Sequence, residues 1–459
     1  MSRTRTPEGP RPASPGPASR RPKAAGPAEP TEAPIEAPIE RPPEGVFVPE
    51  EGWVPRVLGR YGKRAPDGSH QEGGPAGDGG EPGSGRTPRL VIVAGMHGNE
   101  TGGVLAVQSV MNTLARTGVH LKGEVVALSG NRPALAAGQR YLEEDLNRRW
   151  TPANVTQLRT LDDPPVGSEA REQWELLREL DALLLEEPDT FVLDLHSTSG
   201  PGSPFACISD TLRARELALS LPLPLILGIE EAIHGTLLDH MEREGKAMLL
   251  VEGGQHDHPD TATHLEATIW LVLQELGMLP TDGLVGSLEA EDPEHLPDPI
   301  QCRARLERAT RGLPRVLEVL HRHEVRHGDG FRMEPGYRNF QPVGRGHPLA
   351  TSLAGPVVTP TRGLLLMPLY QPQGADGFFV GRPVRRSWLH VSTWMRALRV
   401  DRLLRRLPGV AADAMLAERV AVDPAIARWG TMELFHLAGF RRLPDRDDGL
   451  LRFSRRPEP

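Results

Sequence analysis

His97 and Glu100 stand three residues apart in "VIVAGMHGNETGG" (91–103), where a run of β-branched and small apolar residues gives way to glycine. At a strand-to-helix turn this spacing brings both side chains to one point, and Gly95 and Gly98 let the backbone approach closely. Such a pair can ligate a metal. Alone, it can equally be a hydrogen-bonded His with a Glu at the positive end of a helix. His196 tips that balance. It ends a second apolar run, "FVLDLHSTSG" (191–200), and completes a set of two His and one carboxylate. That inventory is the one that holds a catalytic zinc and leaves a fourth position for water or substrate.

Two further clusters fit beside a metal. Glu252, in "LLVEGGQ" (249–255), directly follows a buried-looking run, where an unpartnered carboxylate is costly. Beside an activated water it can act as general base and return the proton to a leaving amine; the plainer reading is a salt-bridged strand end. In "RYLEEDLNRRW" (140–150), Asp145, Asn147 and Arg148 offer an acceptor, an amide and a guanidinium within one turn. Arg148 can clamp a carboxylate through two hydrogen bonds. Asp145 can hold the second nitrogen of a ligand His, and Arg140 can stabilise a developing oxyanion. The alternative is a solvated, charged turn.

These residues need elements to position them. "RLVIVAG" (89–95), "EVVALSG" (124–130), "FVLDLH" (191–196), "LPLILGI" (223–229) and "AMLLVEGG" (247–254) read as buried strands. Amphipathic stretches at 100–116, 168–187 and 261–278 lie between several of them. Near-continuous apolar strands alternating with helices predict a mostly parallel α/β sheet covered on both faces. In such sheets ligands bind outside the carboxyl ends of the strands, which is where each cluster falls.

Composition narrows the class. The chain has 459 residues, 38% apolar, with 49 Gly and 46 Pro. The Gly and Pro excess is concentrated in residues 1–45, which contain "EAPIEAPIE", and in 65–88, so both segments read as disordered. The expected division is a disordered Pro-rich head (1–45), an edge segment with a flexible Gly/Pro-rich insertion (46–88), and a zinc-hydrolase α/β domain (89–300). A smaller β-rich domain (301–383) and a helical, Arg-rich extension (384–459) follow. A linker is expected around 280–300. A net charge of −8 argues against a general nucleic-acid binder. Cys207 and Cys302 give no disulfide framework, so a reducing cytoplasm is expected. The start has no apolar core of a secretory signal, and no run approaches 18 apolar residues.

The motifs G-M-H-G-N-E, R-Y…D-L-N-R, D-L-H-S-T and V-E-G-G, in this order, resemble those of the succinylglutamate desuccinylase/aspartoacylase family over about residues 89–382. The resemblance implies a zinc amidohydrolase on the zinc-carboxypeptidase fold, with one Zn2+ per chain and a small N-acyl amino acid or related acylated amine as substrate. It implies that His97, Glu100 and His196 bind the zinc and that Glu252 is the base. Arg140 then polarises the scissile carbonyl, Asn147 with Arg148 binds a substrate carboxylate, and Asp145 supports the first zinc histidine. There are departures. A further substrate arginine before the base is matched only by Arg243, and a tyrosine expected from the β domain falls in "QPQGADGFFVG", which has phenylalanines. The rival readings are a carboxypeptidase on the same fold and a non-catalytic zinc-binding member.

Some stretches remain outside this pattern. "HRHEVRH" (321–327) and "GGQHDHPDTATH" (253–264) look like metal tracts without supporting carboxylates or cysteines, although His256 and His258 can line the pocket. On the last helical stretch, Trp394, Leu398 and Leu404 are expected to pack inward and leave a basic face exposed.

Overall fold

The computed structural model describes residues 54–62, 87–185, 189–280, 296–412, 418–423, 425–426, 431–443 and 449–455. The stretches read as a disordered head and most of the Gly/Pro-rich insertion and linker lie outside the described residues.

The α/β part carries strands β1 (Val57–Gly62), β2 (Arg89–Ala94), β3 (Glu124–Ser129), β4 (Thr190–Thr198), β5 (Phe205–Ile208), β6 (Leu225–Leu227) and β7 (Ala247–Gln255). They are joined through helices α1 (Gly102–Thr117), α2 (Arg132–Ala137), α3 (Pro152–Arg159), α4 (Ser168–Leu185), α5 (Leu212–Ser220), α6 (Ile229–Ala232), α7 (Leu237–Arg243) and α8 (Asp260–Glu275). At the centre, β3, β2, β4 and β7 run parallel, while β1 at one edge and β5 beside β7 are antiparallel. The sheet is therefore mixed and mostly parallel at its core, as expected.

Each central strand is apolar on both sides because both sides are covered. On β2, Leu90, Ile92 and Ala94 enter one core with α1 and α8, and Val91 and Val93 enter the other with α3, α4 and α7. The same alternation along β4 puts Phe191, Leu193 and Leu195 on the first face and Val192 on the second. Gly103 lets α1 sit directly on β4: a Cβ there would lie 3.0 Å from Leu195 Cβ and 3.2 Å from its carbonyl oxygen.

The β-rich part mostly extends the α/β sheet. After α9 (Pro299–Ala309), β8 (Val316–Glu324) joins the open edge of β6 in parallel, burying Val316 and Leu317. β9 (Arg332–Met333), β10 (Pro342–Val343), β11 (Pro348–Ser352), β12 (Gly355–Val358), β13 (Gly363–Leu366) and β14 (Asp376–Pro383) follow. One sheet of eleven strands thus runs β1-β3-β2-β4-β7-β5-β6-β8-β14-β13-β10, and β12-β11-β9 form a small sheet beside it.

The extension is not only helical. Helices α10 (Arg386–Ala397), α11 (Asp401–Leu404) and α12 (Thr431–Leu437) accompany an antiparallel sheet of β15 (Val410–Ala412), β16 (Arg419–Val422), β18 (Leu451–Arg455) and β17 (Phe440–Arg442). Phe435, Phe440 and Phe453 form its core. α10 also faces the other way from its apolar pattern. Trp394 is 72% and Leu398 62% exposed, whereas Arg396 is buried, because its Nη1 and Nη2 donate at 2.7 Å to the backbone oxygen and Oδ2 of Asp210. Leu404 alone of the three packs inward as expected.

Candidate functional site

The turn after β2 is built by glycine. Gly95 sits at φ +71°, in the left-handed region, and a Cβ on Gly98 would overlap the backbone of Ala134 and Gln139. Gly98 N–H instead donates to the carbonyl of Arg140 at 3.1 Å. The close approach thus couples His97 to the segment that carries Arg140 and Asp145.

His97, Glu100 and His196 are buried and converge; one ligand atom from each lies within 4.8 Å of the others. His97 Nδ1 is 2.7 Å from Glu100 Oε1, and His196 Nδ1 is 2.9 Å from Glu100 Oε2. Both rings turn the same nitrogen inward, and an acid fixes the outer nitrogen of each. His97 Nε2 lies 3.2 Å from Asp145 Oδ1, and His196 Nε2 lies 3.0 Å from Asp194 Oδ2. Two imidazoles and a carboxylate, each imidazole backed by a second acid, fit a zinc ion in donor type and support. Among the described residues this is the one cluster of at least three His, Cys, Asp or Glu side chains gathered closely enough for a metal.

Electrostatics follow from the crowding. Burial would raise the Glu100 carboxyl, but His97 and His196 hold it well below the usual range. Asp145 is likewise held low against burial by Arg140 and then His97. His196 is pushed up despite burial by Asp194 and Glu100.

Glu252 differs. It pairs in register with His196 across the β4–β7 ladder, so both side chains leave the same face of the sheet. Its Oε2 is buried without a hydrogen-bond partner, and burial pushes its carboxyl up to about 8.

Arg140 donates from Nη2 and Nε to Asp145 Oδ2 at 3.1 and 3.3 Å, with Nη1 3.6 Å from Glu100 Oε1. Asn147 accepts the Leu237 N–H at 2.9 Å, and Arg148 is ion-paired with Asp376. His97, Glu100, Arg140, Asn147, Arg148, His196 and Glu252 all line one cavity of about 100 Å³. Asp145 stands behind it.

Other expectations fall elsewhere. Arg243 donates to the Trp150 carbonyl at 2.6 Å and pairs with Asp239, away from the cavity wall. In the stretch where a tyrosine was expected, Phe379 lines the cavity. His256 sits behind the wall, 2.7 Å from Ser197 Oγ, and His258 is largely exposed. His323 stacks on Phe378, so "HRHEVRH" supplies packing on β8. A larger cavity of about 960 Å³, lined by residues including Glu318, Arg322, Trp388 and His436, contains none of the cluster.

Sequence reading missed three participants. Asp194 was visible as D-x-H inside a strand, since residues two apart share a face. Asp376 and Met367 had no local signal. Met367 adopts φ +48° on the cavity wall, and its N–H is held by Asn339 Oδ1 at 2.5 Å.

The succinylglutamate desuccinylase/aspartoacylase catalytic domain matches residues 86–265, a span that contains all of the clustered residues. Across that span the chain resembles this family. A succinylglutamate desuccinylase of Photorhabdus laumondii is 44% identical over 61 residues, covering 13% of this chain and 19% of the relative. A human N-acyl-aromatic-L-amino acid amidohydrolase (carboxylate-forming) is 33% identical over 118 residues, covering 24% and 34%. The chain thus matches about a fifth to a third of these relatives' lengths. A solved succinylglutamate desuccinylase from Vibrio cholerae superposes with a TM-score of 0.45 at 16% identity, covering 65% of this chain and 82% of that one. Murine aminoacylase 3 gives 0.43 at 18%, covering 65% and 96%.

Proposed function

We propose that this chain is a zinc-dependent deacylase that hydrolyses the amide bond of a small N-acyl amino acid or related acylated amine. One observation carries the reading. A buried pair of imidazoles and a carboxylate faces an unpartnered, protonatable Glu252 across a single strand ladder, inside a small cavity. The names of the matched relatives agree with amide hydrolysis on acylated amino acids.

His97, Glu100 and His196 would hold one zinc ion, which would supply Lewis acidity to the attacking water and the scissile carbonyl. Glu252 takes a proton from the attacking water on its free oxygen and delivers it to the leaving amine nitrogen. Its raised affinity for protons suits it to hold one between those steps. Arg140, fixed by Asp145, directs its guanidinium toward the charge that builds on the carbonyl oxygen. Asp145 and Asp194 orient the two histidines. Asn147 and Arg148 form the substrate-binding wall. A cytoplasmic setting agrees with Cys207 and Cys302, both buried and unbridged.

The test is metal analysis of the purified chain, followed by assay of the zinc-loaded protein against N-acyl amino acids and short peptides. About one zinc per chain and turnover of at least one N-acyl amino acid are expected. Peptide trimming without any deacylation would instead select the carboxypeptidase reading.

A further inference from the structure

Two properties of the cavity bear on what it encloses. The first is that its cations are already matched. Among the described residues, the lining includes two arginines, Arg140 and Arg148, and no lysine. Arg140 is committed to Asp145. Arg148 bonds Asp376 Oδ2 through Nη2 and the Asn147 carbonyl through Nη1 at 2.7 Å, and its buried Nε has no partner. Asp376 is held from its other side as well: Arg322 Nε lies 2.5 Å from Oδ1, and Arg322 Nη1 donates to the Ala232 carbonyl at 3.1 Å. Asp376 thus takes the place that the sequence reading gave to a substrate carboxylate, with one oxygen on each of two guanidiniums. A charged substrate group would have to displace a tethered carboxylate of the same chain, or sit beside it as a second anion. The remaining Arg148 Nε can serve one neutral oxygen.

The second property is an apolar wall. Ile229, Ile233, Leu238, Leu250, Met367 and Phe379 face the same space of about 100 Å³. That is room for a chain of a few carbon atoms, attached to the carbonyl that Glu252 and Arg140 must both reach.

Resting on the deacylase reading above, we infer that the enclosed group is a short, uncharged aliphatic acyl chain. Asp376 is the specificity residue that keeps carboxylate-bearing acyl groups such as succinyl out. It acts by neutralising Arg148 and Arg322 before any substrate arrives.

The experiment compares kcat/KM for N-butyryl and N-succinyl conjugates of one amine, in the zinc-loaded wild-type chain and in Asp376→Ala, with Asp376→Asn as the milder substitution. The wild type is expected to favour butyryl by tenfold or more. Either variant should shift the ratio at least tenfold toward succinyl, with zinc content unchanged. Because the ratio is taken within each protein, partial loss of folding cancels. A wild-type preference for butyryl below tenfold, or a ratio that neither variant moves tenfold, overturns the inference while leaving the deacylase reading standing. Thermal shifts of the same proteins with free butyrate and succinate need no turnover. Greater stabilisation of wild type by butyrate, reversed in Asp376→Ala, would sustain the exclusion of a second carboxylate by Asp376 even if no conjugate were hydrolysed; equal stabilisation by the two acids in both proteins would overturn it.

Discussion

Burial has opposite consequences in two of the groups of charged side chains that this molecule buries. Beneath the carboxyl ends of β2, β4 and β7, the carboxylates Glu100, Asp145, Asp194 and Glu252 crowd around two histidines, and Glu252 keeps a buried oxygen without a partner. Where the C-terminal unit meets the α/β part, Arg441 Nη1 bridges Asp239 and Glu242 at 2.8 Å, and Arg396 binds Asp210. There each acid meets a guanidinium. The second arrangement ties two parts of the chain together. The first is an acid-rich pocket whose charges lack enough cations, the electrostatic condition that favours a bound metal and a mobile proton.

The contrast breaks most visibly at the metal. His196→Ala should reduce zinc from about one per chain to near zero and abolish turnover, while the Arg441 bridge should be unaffected. Metal analysis that finds full zinc in this variant would remove the ligand assignment. Next comes Glu252→Gln, which keeps the shape but cannot accept a proton. General acid–base assistance is worth about 10²–10⁴-fold, so kcat should fall by that order with zinc retained. Near-normal turnover would leave Glu252 as a strand-end residue only.

The two groups also differed in how far the sequence foretold them. The strand ends were legible because near-continuous apolar runs stop at polar residues, so His97, His196 and Glu252 stood out against a buried background. β2, β3, β4 and β7 appear within a residue or two of their expected bounds, since near-continuous apolar runs leave little choice of register. β5 was hidden in "PFACIS", only four residues long and flanked by proline and serine. The C-terminal links were not legible. Arg396 and Arg441 sat among many exposed arginines, and nothing local marks which one will find an acid some 186 or 202 residues away. Asp376 escaped for the same reason: its partners Arg148 and Arg322 are 228 and 54 residues distant. Long-range ion pairs depend on how elements dock, and periodicity does not record that.

Arg441→Ala should therefore act on stability alone. Removing one partner of a buried ion pair costs about 3–5 kcal/mol, because the remaining charges stay buried without compensation. A lower unfolding midpoint in urea is expected, with kcat of the folded fraction close to wild type. A matching loss of kcat would show that the C-terminal unit feeds into the site and that the two groups are not separate.

The smallest effect concerns His436 on α12. Its Nε2 lies 3.1 Å from Glu231 Oε2 and its Nδ1 3.9 Å from Glu318 Oε1, with Arg382 2.7 Å from the other Glu318 oxygen. Burial works to lower this imidazole, but the two acids outweigh it and push it up to about 10, while Glu318, bonded first of all to His436, is held below its usual value. The raised value fixes the sign. The folded protein holds the His436 proton more tightly than the unfolded chain does, so the stabilisation is fully present below about pH 6.5, the ordinary imidazole value, and is lost as pH rises through about 10. Glu318 contributes in the opposite sense only at acid pH, below the window of interest. His436→Gln keeps a polar side chain without a proton to lose. Relative to this variant, the wild type should be more stable at pH 6 by a few degrees in melting temperature, and the gap should close by about pH 10. Melting curves of the two proteins across that range decide the point: a gap that stays constant would mean that His436 contributes packing rather than charge to the seam between the C-terminal unit and β8.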